Sequence, residues 1–347
     1  MKTTVREPGF DPSCAPALWT NLARGAAGSA MLHAAMELGV VAALAGGPMA
    51  AGRLRAKLRL EKRPFAVLTT LLRAIGVMRS GKSGRISLSP SARRHLVSSQ
   101  PLQMGDYLGL LDRSRYHRLV VGCLKRNRSL GKDPLFVFHR GRRSSMNNAE
   151  TARFLTEALA GRARWTAPAL AKAIDWRRSG LVLDLGCGSA AYAVALLERH
   201  TKLKAVLVDR PAVLEVAKEE VARARLGSRC ELMAADMFTD PLPPADSILL
   251  CNILHDWDVA DCRRLVRRCL KALPRGGRLV IHDTFLDDDL GGPLHAALHS
   301  SSLFLVTEGR LYSRAEILAW AGPGAVRANR GLVPTANGYA ALEMTKR

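Results

Sequence analysis

The residues best able to do chemistry lie in the second half of the chain. Asp184-Leu185-Gly186-Cys187-Gly188-Ser189-Ala190-Ala191 closes an apolar run, and its two glycines permit a tight turn that brings backbone N–H groups against a ligand at a helix start. The third position of the dinucleotide-binding pattern is Ala191, so the G-x-G alone identifies no ligand. Charge narrows the choice. A carboxylate at Asp184, read here at the strand end beside the turn, opposes a pyrophosphate and suits a ligand carrying an ammonium and a sulfonium. Asp209 ends Val206-Leu207-Val208-Asp209, the usual place for a carboxylate that accepts ribose hydroxyls. Asp236, in Ala235-Asp236-Met237-Phe238, follows a further short strand, where an adenine edge can be read. Any one of these acids could be a helix cap. Three of them, each at the carboxyl end of a different strand, read as a site.

Histidines supply groups that titrate near neutrality. His255 follows the run Ser247–Cys251 closely and so falls near the same sheet edge. His295 and His299 are four apart, on one face of an expected helix, and with His255 or Asp283 could hold iron or zinc. The HExxH glutamate is missing, and no metal is expected.

The elements that must position these groups divide the chain. Ala26–Ala45 carries Ala30, His33, Ala34, Leu38, Val41 and Leu44 at helical spacing, and Gly46-Gly47-Pro48 ends it. Short helices around 50–58 and 64–75 follow, then a hairpin from Met78 and Ile86-Ser87-Leu88 around a polar Ser80–Gly84 turn. Three helices and a small wing outline a winged helix. Helical patterning continues from Leu102 to Ala173, interrupted by Gly131–Pro134 and the basic stretch His139–Arg143. After Gly180, strand-like runs Leu181–Leu185, Ala205–Val208, Ser247–Cys251 and Leu279–Ile281 alternate with helices near 190–199, 212–224 and 260–273. That alternation predicts a parallel sheet covered on both faces. The expected domains are therefore residues 1–100, a winged-helix-like unit; 101–172, a helical linker to the substrate pocket; and 173–347, a Rossmann-like α/β unit.

Composition removes other classes. The net charge is +22, and residues 1–150 hold 25 Lys/Arg against 8 Asp/Glu, the rest 27 against 22. The surplus is mostly arginine with little aromatic interleaving, as an arginine-rich composition produces, and nucleic acid is not expected as a partner. A winged-helix regulator that senses its small ligand remains the alternative from another class. The seven cysteines, Cys14, Cys123, Cys187, Cys230, Cys251, Cys262 and Cys269, show no CxxC pair, which argues against a disulfide framework or structural zinc. No apolar run is long enough to span a bilayer and Met1–Pro12 has no signal region, so a cytoplasmic protein without a membrane partner is expected.

The segments Asp184–Ala191, Asp209-Arg210-Pro211, Ala235–Phe238 and Asn252-Ile253-Leu254-His255-Asp256-Trp257 follow one another as in class I S-adenosylmethionine-dependent O-methyltransferases of the caffeate and acetylserotonin type. The chain resembles that family over nearly its whole length, and His-Asp-Trp is the most specific mark. The resemblance implies a Rossmann-like domain behind a winged-helix-like dimerisation domain, a homodimer, and methylation of a hydroxyl on an aromatic small molecule of bacterial secondary metabolism. It implies that Gly186 and Gly188 hold the methionine end of S-adenosylmethionine, Asp209 the ribose, and Asp236 and Met237 the adenine. It assigns His255 as general base and Asp283 as the acid that orients it. Cys251 stands where many members have a lysine near the adenine. Leu311 occupies the position of a glutamate that flanks the base, which leaves methylation at carbon, on an aromatic or tetrapyrrole ring, as an alternative.

Overall fold

The computed structural model describes residues 14–81, 84–111, 116–130 and 145–347. Met1–Pro12, Gly131–Pro134, His139–Arg143 and part of the Ser80–Gly84 turn lie outside them. The first layer is helical: α1 (Cys14–Glu37), α2 (Val40–Ala45), strand β1 (Met49–Ala50), α3 (Ala51–Leu58), α4 (Lys62–Ala74), strands β2 (Met78–Ser80) and β3 (Arg85–Leu88), α5 (Pro90–Leu96), α6 (Gly105–Leu111), α7 (Tyr116–Arg126) and α8 (Ala149–Ala173). The wing forms as expected: β2 and β3 pair antiparallel with Met78 opposite Leu88, and β1 joins the other side of β3.

Ala26–Ala45 is two helices, not the one its periodicity predicts. Gly39 adopts φ 78°, a left-handed conformation that costs glycine nothing, and the Leu38 and Gly39 N–H groups donate back to Ala34 and Met36 to close α1. The apolar spacing runs on through the break because it records which face is buried, not where the backbone turns.

The second half follows the expected alternation: β4 (Leu181–Leu185), α9 (Ala191–Arg199), β5 (Lys204–Asp209), α10 (Pro211–Arg223), β6 (Cys230–Ala234), β7 (Ser247–Cys251), α11 (Val259–Ala272), β8 (Arg278–Asp283), α12 (Leu294–Val306), α13 (Arg314–Ala321), β9 (Val326–Ala328), β10 (Val333–Pro334) and β11 (Ala340–Lys346). The sheet order is β10-β11-β8-β7-β4-β5-β6, with β9 beside β11. Strands β4 to β8 are parallel and β11 runs antiparallel against β8. The chain moves from β4 outward through β5 and β6, then returns to place β7 on the other side of β4. Loops at that reversal diverge, which opens a crevice beyond the strand ends. Both faces are covered, and Leu183 and Leu185 pack on one side while Val182 packs on the other. No described helix is long and apolar enough to cross a membrane.

The layers are tied through α12. Ala297, Phe304 and Leu305 join the same hydrophobic cluster as Met31, Leu44, Leu68 and Leu124. At the end of α12 the Arg63 guanidinium donates to the carbonyls of Thr307 (2.6 Å), Gly309 (3.0 Å) and Phe304 (3.2 Å) and to Asn127 Oδ1 (3.2 Å). It also lies 4.4 Å from the centre of the Phe304 ring. Burial lowers this guanidinium to about 10, so it stays charged at neutral pH. Arg63→Met should strip the donor from three carbonyls and destabilise the fold by about 3 kcal/mol in urea unfolding. A loss below about 1 kcal/mol would show that other donors serve those carbonyls.

Candidate functional site

A cleft opens at the sheet reversal. Its floor is the turn after β4. Gly186 and Cys187 donate their N–H groups to the Val208 carbonyl, and Gly186 holds φ 76°. A Cβ at Gly186 would collide with the Ile253 side chain, so the turn lies hard against the β7 loop. The Asp209 carboxylate accepts the N–H groups of Gly188 (2.9 Å) and Arg210 (2.8 Å), which fixes its plane and leaves further lone pairs available. Burial raises its pKa, and the two N–H donors oppose that rise. Asp236 and Met237 stand on the adjoining wall, with Asp236 Oδ1 taking the Phe238 N–H at 2.8 Å. The Phe238 and Trp257 rings meet edge to face at 4.7 Å and extend this wall. Cys251 lines the cleft too, its thiol kept neutral by burial, so that position supplies no cation.

Asp184 is placed differently from the expectation. It is the penultimate residue of β4, and the alternation that sends Leu183 and Leu185 to one face sends Asp184 to the other, with Val182. Its side chain is 1% exposed and off the cleft wall, behind the glycine turn. Burial and the Asp209 charge push its carboxyl up to about 7, with an Ala193 N–H bond opposing them. Asp184 therefore supports the turn from beneath the cleft wall.

His255 sits in a single helical turn, Leu254–Asp256, between β7 and α11, whose N-cap Asp258 accepts the Asp261 N–H. Asn252, at φ 57°, turns the chain out of β7 and donates its N–H to the His282 carbonyl. The His255 ring is 4% exposed. Its Nδ1 faces both Asp283 oxygens at 2.9 and 2.8 Å, and Asp283 is fixed in turn by the Thr284 N–H. With Nδ1 donating to the carboxylate, Nε2 carries the free lone pair, 3.7 Å from Asp256 Oδ1. Burial alone would lower the imidazole pKa, but the charges of Asp283 and Asp256 outweigh it and the net shift is upward. Asp256 itself is pushed up to about 6 by burial.

Leu311 turns away into an aliphatic cluster with Leu286, Ala296 and Leu303. The flank of His255 is filled instead by His299, whose ring meets it edge to face at 5.5 Å. Burial holds His299 well below the usual imidazole range, so it is neutral. His295 lies against Gly338, and among the described residues no group of three or more His, Cys, Asp or Glu side chains converges as a metal set.

Arg162 and Asn252 were invisible as site residues in the sequence. Both line the cleft, and Arg162 Nε and Asn252 Oδ1 are buried without a partner. Asn252 Nδ2 donates to the Tyr192 hydroxyl (3.0 Å), which fixes the orphaned oxygen in place. Arg162 is one arginine among many in a helical stretch, and only the meeting of α8 with the sheet edge brings it to the cleft.

Residues 131–323 match the family model described as an O-methyltransferase domain. The chain is 34% identical over 331 residues to a 3-hydroxy-5-methyl-1-naphthoate 3-O-methyltransferase of Streptomyces sahachiroi, covering 94% of each. It is similar to an O-methyltransferase family 2 protein of Planctomyces limnophilus solved with apigenin, at 35% identity and TM-score 0.86, covering 99% and 98% of the two chains. Human N-acetylserotonin methyltransferase, solved with S-adenosylmethionine, shares the fold at 22% identity and TM-score 0.56, covering 98% and 99%.

The cleft fits that cofactor. It offers the orphaned Asn252 Oδ1 to an ammonium, a fixed carboxylate to a diol, and an aromatic and thioether wall to a base. Gly186→Ala, which forces both the left-handed turn and the Ile253 contact, should weaken S-adenosylhomocysteine binding about tenfold or more in titration calorimetry. Unchanged affinity would remove the turn from the cofactor wall. By its family match and near-full-length relatives, the chain belongs to the O-methyltransferase domain family and is an S-adenosylmethionine-dependent methyltransferase.

Proposed function

We propose that this enzyme methylates a hydroxyl on a fused or polycyclic aromatic acceptor, with His255 as general base. The buried His255–Asp283 pair carries this reading, because it leaves one basic nitrogen beside the cofactor cleft and ties down the other. The relatives named for a hydroxynaphthoate and solved with apigenin favour an aromatic acceptor. Bound S-adenosylmethionine supplies a methyl group already activated by its sulfonium. Asp209 would hold the ribose hydroxyls, Asp236 and Met237 the adenine, and Gly186, Gly188 and Asn252 the amino end of the methionine tail. Arg162 would take the tail carboxylate, a role that suits its unpartnered Nε. His255 Nε2 removes the acceptor proton as the oxygen turns nucleophilic, and Asp283 stabilises the imidazolium that forms.

Only the neutral imidazole accepts a proton, so turnover should climb with pH. Because the His255 pKa is raised, that limb should lie above the ordinary imidazole value near 6.5. Asp283→Asn should move it down and lower the plateau. His255→Ala should reduce the single-turnover rate on an active phenol by on the order of a hundredfold, with S-adenosylhomocysteine affinity little changed. Equal rates would show that alignment alone carries the reaction.

We propose further that the working form is a homodimer. Trp19 (66% exposed) and Leu22 (69%) on α1, with Leu119 on α7 and Phe154 on α8, leave large apolar side chains in water. Light scattering should return twice the chain mass, and Trp19→Glu with Leu22→Glu should halve it. A wild-type monomer across dilution would refute the dimer.

A further inference from the structure

Beyond His255, away from the wall of Asp209 and Asp236, a second set of polar groups gathers. Gly28 of α1 packs so tightly on α12 that a Cβ would stand 2.5 Å from Leu298, and this close approach sets Arg24, one turn earlier on α1, over the His295–His299 turn of α12. Arg24 is half-buried. Its guanidinium has five N–H donors, and among the described residues it meets the Tyr339 hydroxyl but no carboxylate pairs with it. One orphan lies beside this pair: His299 Nδ1 is buried and unpartnered, in a residue 4% exposed, and Tyr339 is 6% exposed. Tyr339 follows Gly338, against which the His295 ring is pressed, and the His299 ring abuts His255 at 5.5 Å.

A cation drawn out of water without an anion is costly, as is a buried ring nitrogen without a partner. Burial lowers the Arg24 pKa, and neighbouring Arg162 lowers it further against the opposing pull of Tyr339 and Asp283. An anion is what this corner lacks.

We infer that Arg24, His299 and Tyr339 form a carboxylate subsite beside His255, and that the acceptor is a hydroxylated aromatic acid rather than an uncharged phenol. This rests on the phenol-methylation reading above for its orientation: with the carboxylate held by Arg24 and the Tyr339 hydroxyl, the ring presents a hydroxyl to His255 Nε2. The chemistry needed here is an anionic oxygen pair. Two sources could supply it, the acceptor and the methionine tail of the cofactor, and the assignment is to the acceptor because Arg162, not Arg24, lines the cofactor cleft.

The test is equilibrium binding, which needs no turnover. Protein saturated with S-adenosylhomocysteine is titrated with hydroxylated benzoates and naphthoates, each paired with the phenol that lacks the carboxylate. At least one acid should bind about 30-fold or more tighter than its phenol, the scale of a charge-assisted hydrogen bond. Arg24→Gln should bring that ratio below about threefold and leave S-adenosylhomocysteine affinity unchanged, while Arg24→Lys keeps part of the preference. Tyr339→Phe, which keeps the ring, should cost the acid about fivefold and guards against a folding failure at Arg24. A panel in which no acid outbinds its phenol overturns the subsite. So does an Arg24→Gln variant that loses S-adenosylhomocysteine but keeps the preference, since the anion would then be the cofactor's own. Preference without methylation of any hydroxyl would instead sink the phenol-methylation reading and leave the subsite standing.

Discussion

The site depends on one close approach of two backbones. Gly309 lies so near the His255 carbonyl that a Cβ there would collide with it, and the Thr307 hydroxyl reaches the same carbonyl at 3.5 Å. Those residues follow α12, whose final carbonyls have no donors within the helix. Arg63, from α4 in the helical layer, donates to the Phe304 carbonyl in the last turn and to the Thr307 and Gly309 carbonyls just beyond it, and brings a cation to the negative end of the helix. The position of the histidine is thus set from outside its own loop. The sheet brings the β7 end to the cleft, and the helical layer clamps the loop that presses on His255. A substitution far from the cleft can therefore displace the imidazole without touching a ligand.

The second constraint is electrostatic. The reversal of strand order collects acids at one edge, and burial makes Asp184, Asp209 and Asp256 hard to ionise. Asp184 and Asp256 are pushed up to about 7 and about 6, while Asp283 keeps its charge partner in His255. Raised acids stabilise the folded state at low pH and lose that contribution as pH climbs through their folded values. A bound cation reverses the penalty by giving buried carboxylates a reason to ionise. The cofactor with its ammonium and sulfonium is such a cation, so binding and folding pull in the same direction above neutrality.

Much of this was legible in the sequence, for reasons that are local. The runs at β4 and β7 coincide with the strands because apolar blocks of that length, closed by glycine or acid, leave few alternatives. Asp209 and His255 are readable because each follows its strand within a few residues. Asp184 falls within the expected run, but its neighbours Leu183 and Leu185 take the opposite face, and which face meets the cleft is not written in the run. Gly39 was hidden inside a continuing apolar pattern. Arg24, Arg63 and Arg162 could not be found at all. They sit among many arginines, and what separates them from the rest is a partner, or the lack of one, hundreds of residues away. The turn of His299 toward the base was likewise a matter of helix packing, which spacing does not encode.

The replacement of a flanking carboxylate by Leu311 follows from these contacts. A phenol titrates near 10, so a base is effective only if its own pKa is high enough to compete yet leaves it unprotonated at working pH. Asp283 and Asp256 already lift His255 against the effect of burial. A third carboxylate on the flank would lift it again and keep the imidazole protonated through neutrality. Neutral His299 in that place packs the ring without adding charge. An acceptor ionised more readily than a simple phenol needs no stronger base. One arriving as a carboxylate would supply the missing negative charge itself, on the side of the ring where Arg24 has no carboxylate partner.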